Sequence, residues 1–241
     1  MSIALVAHGI GKYTDVVTID TTGATLLVLC IGTLNWNPSG ATITDGNGNT
    51  WRFLTSVYDS SGGGYGLVIA YAYDHAGSPL ACGAGHTFSV SGSGTFRTFG
   101  ISAWSGTVTG SDPLGAQNAH KLYPGPRDTT IQPGSVSPAA GDLVIAAQSS
   151  TSGTDVLPYT TSSPTLTKID THAYSFANDP NLEDDYLISS GGATNPTYTG
   201  TVTAYRVAAI ATFKPASGGG GAGFQSAWAA QANRILGGLV Q

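Results

Sequence analysis

Thr-Ile-Thr-Asp-Gly-Asn-Gly-Asn-Thr-Trp-Arg-Phe-Leu-Thr-Ser-Val-Tyr, residues 42–58, decides how the rest of the chain is read. Two runs of strand-forming residues flank Asp45-Gly46-Asn47-Gly48-Asn49, and Asp-Gly and Asn-Gly pairs accept the positive φ angles of a tight turn. A β-hairpin is expected here. On its N-terminal side lies a loop over 33–40 carrying Asn35-Trp36-Asn37-Pro38, preceded by Ala24 to Gly32, which is apolar at nearly every position. Such a run without helical spacing predicts a central strand covered on both faces. Residues 14–20 predict a short strand before it.

On the C-terminal side, a Gly-rich turn over 60–66 leads into a strand over 67–74. Residues 86–91 and 96–104 predict the next pair, joined by Gly92-Ser93-Gly94. The segment 106–138 holds Pro113, Pro124, Pro126, Pro133 and Pro138, so it predicts an irregular surface connection. Strands follow over 142–148 and 165–170, then a loop holding 178–185, then a pair over 197–203 and 206–213. No helical pattern occurs before Lys214. The chain is all-β.

A weak internal duplication runs through it. Thr22 to Val28 resembles Ala139 to Ile145, aligning Leu26 with Leu143 at an offset of 117, and Thr87 to Trp104 resembles Thr197 to Phe213, aligning Arg97 with Arg206 at an offset of 109. Each copy has a buried strand early and a hairpin late. The second copy lacks a counterpart of the Asp-Gly-Asn-Gly-Asn turn. The expectation is one jelly-roll-like, two-sheet β-sandwich over 1–215, both halves (about 14–106 and 130–215) contributing to both sheets.

Beyond Pro215 the composition changes. Residues 216–223 form a Gly-rich linker, and 224–241 a tail that places Phe224, Trp228, Ile235 and Leu239 on one stripe of a short helix, with Leu236 beside them. Large apolar side chains on a flexible tether are costly to leave in water. The tail can fold back onto its own sandwich or dock onto a partner, and docking onto a partner is the favoured expectation.

Composition narrows the function. Charged residues are 10% of the 241, against roughly 25% in an average soluble domain. The formal net charge is −5, with 9 Lys and Arg and no basic cluster, so nucleic-acid binding lacks its phosphate-neutralising groups. No apolar run reaches the roughly 20 residues of a membrane-spanning helix. The N-terminus carries Lys12 after its apolar segment and does not read as a signal peptide. Cys30 and Cys82 can form a single bridge, but two buried thiols are favoured.

Few residues suggest chemistry. The Asp45 to Asn49 turn resembles the start of a calcium loop, but Ser56 stands where the bidentate carboxylate belongs, so a structural turn is the better reading. Glu183-Asp184-Asp185, near Asn178 and Asp179, is an ion candidate whose simpler reading is hydrated loop charge. The five histidines show no metal-binding spacing and no nucleophile motif occurs. No cofactor, metal or catalytic residue is assigned. Trp36 and Tyr65, in expected loops, are the candidate glycan-binding residues, with Tyr123 in the Pro-rich connection, whereas Trp51, Tyr71 and Trp104 fall on strands and read as core.

The order of Thr-Gly-Ala-Thr-Leu-Leu-Val (22–28), Asp-Gly-Asn-Gly-Asn-Thr-Trp (45–51), a Tyr-containing strand (67–74), Ala-Trp-Ser-Gly (103–106), Ala-Gly-Asp-Leu-Val (140–144) and a terminal Phe-Lys-Pro (213–215) resembles β-sandwich virion proteins of tailed bacteriophages. That resemblance implies a non-enzymatic surface component: a head decoration, fibre or tail-associated protein, assembled in the host cytoplasm. Implied partners are other virion proteins of capsid or tail, further copies of the chain as a homo-oligomer, and a host surface glycan. No nucleic acid and no membrane insertion are implied. The runner-up is a glycan-binding module or adhesin, and a third class is a glycoside hydrolase with two carboxylates facing across a groove.

Overall fold

A computed structural model of the protein describes residues 2–13, 15–59, 64–92, 94, 96–122, 125, 127–150, 158–173 and 180–216. The first half contains β1 (Ala4–Lys12), β2 (Val17–Ile19), β3 (Leu26–Leu34), β4 (Thr42–Asp45), β5 (Arg52–Phe53), β6 (Val57–Asp59), β7 (Tyr65–Tyr73), β8 (His86–Ser91) and β9 (Phe96–Ser105). The second contains β10 (Leu114–Lys121), β11 (Asp128–Ile131), β12 (Ala140–Ser150), β13 (Thr160–Ser162), β14 (Thr167–His172), β15 (Asn181–Ser190), β16 (Thr197–Ala204) and β17 (Arg206–Phe213). The described residues are all-β, and every named strand pair is antiparallel.

Each half builds one large and one small sheet. In the first the orders are β1-β9-β3-β7-β5, with β6 also on β7, and β2-β8-β4; in the second they are β10-β17-β12-β15-β14 and β11-β16-β13. The orders correspond strand for strand. Registers agree as well: Leu26 faces Trp104 as Leu143 faces Phe213, and Ile31 faces Val68 as Gln148 faces Glu183. The duplication read from the sequence is a structural repeat.

Alternation along the strands decides how the sheets stack. On β3, Leu27, Leu29 and Ile31 pack with Phe88 and Val90 of β8 inside the first half. Leu26, Val28 and Cys30 point the other way, into a core shared with Leu143, Ile145 and Phe213 of the second half. Val144 and Ala146 of β12 face Ile131 and Tyr198 inside the second half. The result is four layers, small–large–large–small. This is why β3 is buried at every position and carries no polar alternation.

Several expectations are corrected. The all-β sandwich holds, but the two sheets do not draw on both halves: each half forms its own pair. The 42–58 hairpin does not form, because β4 pairs with β8 in the small sheet and β5 with β7 in the large one. The Asp45–Asn49 turn carries the chain from one sheet to the other. The expected pairs 86–91/96–104 and 197–203/206–213 are split in the same way, β8 and β16 joining small sheets while β9 and β17 join large ones. A sandwich whose connections cross between sheets uses the same turns as a hairpin, so local sequence does not separate them. The segment 106–138 contains β10 and β11, with Pro113, Pro133 and Pro138 outside both strands. β1, at the N-terminal edge, was not among the expected strands. The linker and tail, with Phe224, Trp228, Ile235, Leu236 and Leu239, lie outside the described residues, as do Tyr123, Asn178 and Asp179.

Candidate functional site

The two halves carry different residues at several matched register positions. Gly9 pairs with Ile101 and Gly11 with Phe99 on β1, and the matching positions on β10 are Asn118, opposite Ile210, and His120, opposite Ala208. A Cβ on Gly9 would approach Val17 to 2.8 Å, and one on Gly11 would approach Val17 to 2.6 Å and Phe99 to 2.7 Å. The first half is therefore closed along this edge, β1 lying against β2. With Asn118 and His120 in those places, the edge strands β10 and β11 stand apart. A groove of about 520 Å³ opens between them.

Amides and hydroxyls dominate its lining: Asn118, His120, Thr130, Gln132, Asn195 and Thr197, with Asp128 the one carboxylate. Gln132 Nε2 donates to Thr197 Oγ1 (2.8 Å), Asn195 Nδ2 to Gln132 Oε1 (3.3 Å), and the Gly134 N–H to Asn195 Oδ1 (3.0 Å). Asn118 Nδ2 donates to the Ser135 carbonyl at 3.2 Å. These bonds hold the amides in place before any ligand arrives. No lysine or arginine is among the lining residues, and the Lys121 ammonium donates to the Tyr58 carbonyl at 2.8 Å.

The acidic run Glu183-Asp184-Asp185 is not hydrated loop charge. It lies in the centre of β15, at 0%, 1% and 1% exposure. Strand alternation sends Glu183 and Asp185 toward Tyr198 of β16, inside the second half, and Asp184 toward β9 of the first half. A Cβ on Gly100 of β9 would meet Asp184 Oδ2 at 2.7 Å, so a glycine is required opposite it. Glu183 Oε2 accepts from the Tyr159 N–H at 2.8 Å, but Glu183 Oε1, Asp184 Oδ1, Asp185 Oδ2, the Tyr198 hydroxyl and both side-chain polar atoms of Gln148 make no well-formed hydrogen bond.

Burial, reinforced by the neighbouring Asp185, pushes the Glu183 carboxyl up to about 8. Burial pushes Asp185 up to about 7 despite the adjacent Tyr198 hydroxyl and Lys168. Asp184 is raised well above the carboxylate range by burial and by Asp170 and Asp185. The first-half residues at these positions are Val68, Ile69 and Ala70, with Ile31 in place of Gln148. Among the described residues no group of three or more His, Cys, Asp or Glu is placed to hold a metal ion.

A buried polar cluster in the first half anchors the Asp45–Asn49 turn. Asp45 Oδ1 lies 2.6 Å from His86 Nε2, and His86 Nδ1 lies 3.0 Å from Thr21 Oγ1. Asp45 also accepts from the Asn47 N–H (2.8 Å), Asn49 Nδ2 (3.0 Å) and Trp51 Nε1 (3.1 Å). Hydroxyl, imidazole and carboxylate in line look like a nucleophilic triad. Thr21 is fully buried, so no substrate reaches it. Burial alone would raise the Asp45 carboxyl, but bonds from His86, Asn49 and Asn47 outweigh it and hold it below the usual range.

Trp36, expected in an exposed loop, is buried against Gly92 and Gly94 and donates Nε1 to the Phe96 carbonyl at 3.3 Å, so its face is not available to a sugar. Tyr65 is half-buried and meets Tyr205 of the second half at 6.3 Å between ring centres, with the Arg127 guanidinium 4.9 Å over Tyr205. Trp104 and Tyr71 are core, as read from the sequence, and Trp51 is partly buried against Phe88. Both cysteines are free thiols, Cys30 buried and Cys82 half-buried.

None of the groove residues is assigned as a binding residue in the sequence reading, where His120 enters as one of five histidines without a metal-binding spacing. The only signal in the sequence was the replacement of Gly9 and Gly11 by Asn118 and His120, which shows once β1 and β10 are aligned. Comparisons of the chain with protein-family models, with curated proteins and with solved structures return no match. No helix among the described residues is long and apolar enough to cross a membrane.

Proposed function

We propose that the protein is a non-enzymatic structural component of a bacteriophage virion, a decoration, fibre or tail-associated part displayed on the particle and held partly by its C-terminal tail. The observation that carries this reading is the placement of its ionisable groups. The acidic run Glu183-Asp184-Asp185 is sealed in a core, and among the described residues the groove between β10 and β11 is lined by a single carboxylate, Asp128, with no lysine or arginine. Carboxylate-pair chemistry needs two acids across an accessible cleft, and the groove supplies one. The alternating strand orders support reading each half as a jelly roll, an architecture that serves in viral capsid and lectin domains alike. A surface poor in charge suits a part packed against neighbours, as further copies of itself or as capsid or tail proteins.

The experiment is incorporation. Protein lacking residues 224–241 should be absent from assembled particles, while the full chain is present at fixed stoichiometry. Full occupancy by the truncated form overturns tail anchoring, and absence of the full chain from particles overturns the virion reading. A second reading, a glycan-binding module or adhesin on the same particle, is favoured specifically by the amide- and hydroxyl-rich groove of the second half.

A further inference from the structure

We propose that the groove between β10 and β11 is a binding site for a neutral oligosaccharide segment, and that Asn118 and His120 create it. This rests on the second reading above, and it moves the sugar site from Trp36 and Tyr65 to the opposite half of the molecule. The register comparison makes the opening a built feature. The same edge in the first half is closed, by glycines whose Cβ atoms have no room, and the second half opens it with two side chains that donate and accept hydrogen bonds.

The lining selects the ligand. Asn, Gln and Thr side chains each offer donors and acceptors, which matches a chain of hydroxyls that do both. With no lysine or arginine in the lining, a phosphate, sulfate or uronate would be desolvated without a permanent counter-charge, and a single carboxylate is a poor match for a polycation. The exposed imidazole of His120 gives a flat face for the C–H side of a sugar ring. The volume of about 520 Å³ falls in the roughly 300–1,000 Å³ of small-ligand sites. The amide network fixed by Gln132 and Asn195 lowers the ordering cost of binding.

The test uses the full chain against neutral glucose, galactose and N-acetylglucosamine oligomers, with hyaluronan as the acidic comparison. At least one neutral oligomer should bind, shift the amide signals of Thr130, Gln132 and Asn195 in NMR titration, and bind at least tenfold more weakly to the Asn118→Gly/His120→Gly variant. Val16→Ala, on the exposed surface of the first half, should bind as the parent does. The wild-type NMR map stands even if the double variant folds poorly. Binding of hyaluronan alone, of no oligomer at all, or with shifts confined to the first half overturns the proposal. Glycan binding and particle incorporation are read separately. Lost binding with intact incorporation sinks only the groove, and lost incorporation with intact binding sinks only the virion reading.

Discussion

Val68 and Glu183 occupy the same place in two copies of one strand arrangement, yet one lies in an apolar core and the other among unpaired polar atoms. The same contrast recurs at Ile31 and Gln148 and at Ala70 and Asp185, and Phe88 and Tyr198 extend it to the small sheets. Along the edge, Gly9 and Gly11 contrast with Asn118 and His120. At these core positions the first half packs apolar side chains, and a bonded polar cluster holds its Asp45–Asn49 turn. The second gives up core quality and gains an open groove. A duplicated domain can do this because the shared core between the large sheets is apolar from both sides apart from Asp184 and its surroundings, so the first half supports the second.

The largest expected effect tests that support. Trp104→Ala empties the first-half side of the shared core and should cost about 3–5 kcal/mol. Hydrogen exchange should speed up in both β3 and β12. Acceleration confined to β3 would show that the halves are energetically separate.

The pH dependence of the two halves should run in opposite directions. Glu183 and Asp185 have folded values of about 8 and 7, raised from ordinary values of 4.5 and 3.8, so above those ordinary values the unfolded chain sheds protons that the folded chain keeps. Their contribution to stability therefore falls between about pH 4 and pH 8, with a slope near 1.4 kcal/mol per pH unit for each group ionised in the unfolded state alone. Calorimetry should show a lower Tm at pH 8 than at pH 5. The Gln148→Ile/Glu183→Val/Asp185→Ala/Tyr198→Phe variant, which installs first-half residues, should flatten that slope and melt higher at pH 8. A parent Tm that rises from pH 5 to pH 8 would contradict the polar-core account.

Asp45 has the opposite sign. Its carboxyl is held below the ordinary 3.8, so its contribution is present above that value and lost as pH falls through the lower folded value. Asp45→Ala strands the buried His86 and should cost about 1–3 kcal/mol in urea unfolding at pH 7. An unchanged midpoint would mean that the turn is held by Asn47 and Asn49 alone. The smallest effect is expected for His8→Ala, which removes a partly exposed 2.8 Å contact to Asp170 between the halves. It should change stability by less than about 1 kcal/mol, and by less still at high salt.

Much of the fold is legible in particular residues. The unbroken apolar run from Leu26 marked the central strand, the Leu26/Leu143 and Arg97/Arg206 alignments marked the repeat, and the Asp-Gly-Asn-Gly-Asn run marked a turn. The acidic residues at 183–185 misled because charge normally signals exposure, and here three carboxyls interrupt a core strand. The groove left no local trace, since Asn118 and His120 look ordinary beside Pro113 and Pro124.

Chain order and side-chain chemistry alone settled that this is a β protein, repeated once, sparing in charge and without a basic surface. Which strands pair, whether a turn joins neighbours or crosses between layers, and where an edge stands open were decided only by the packed structure. Strand propensity and turn geometry are local, whereas pairing and opening depend on what the opposite face must cover. That information resides in residues as distant as Gly9 and Val17 from Asn118 and Thr130.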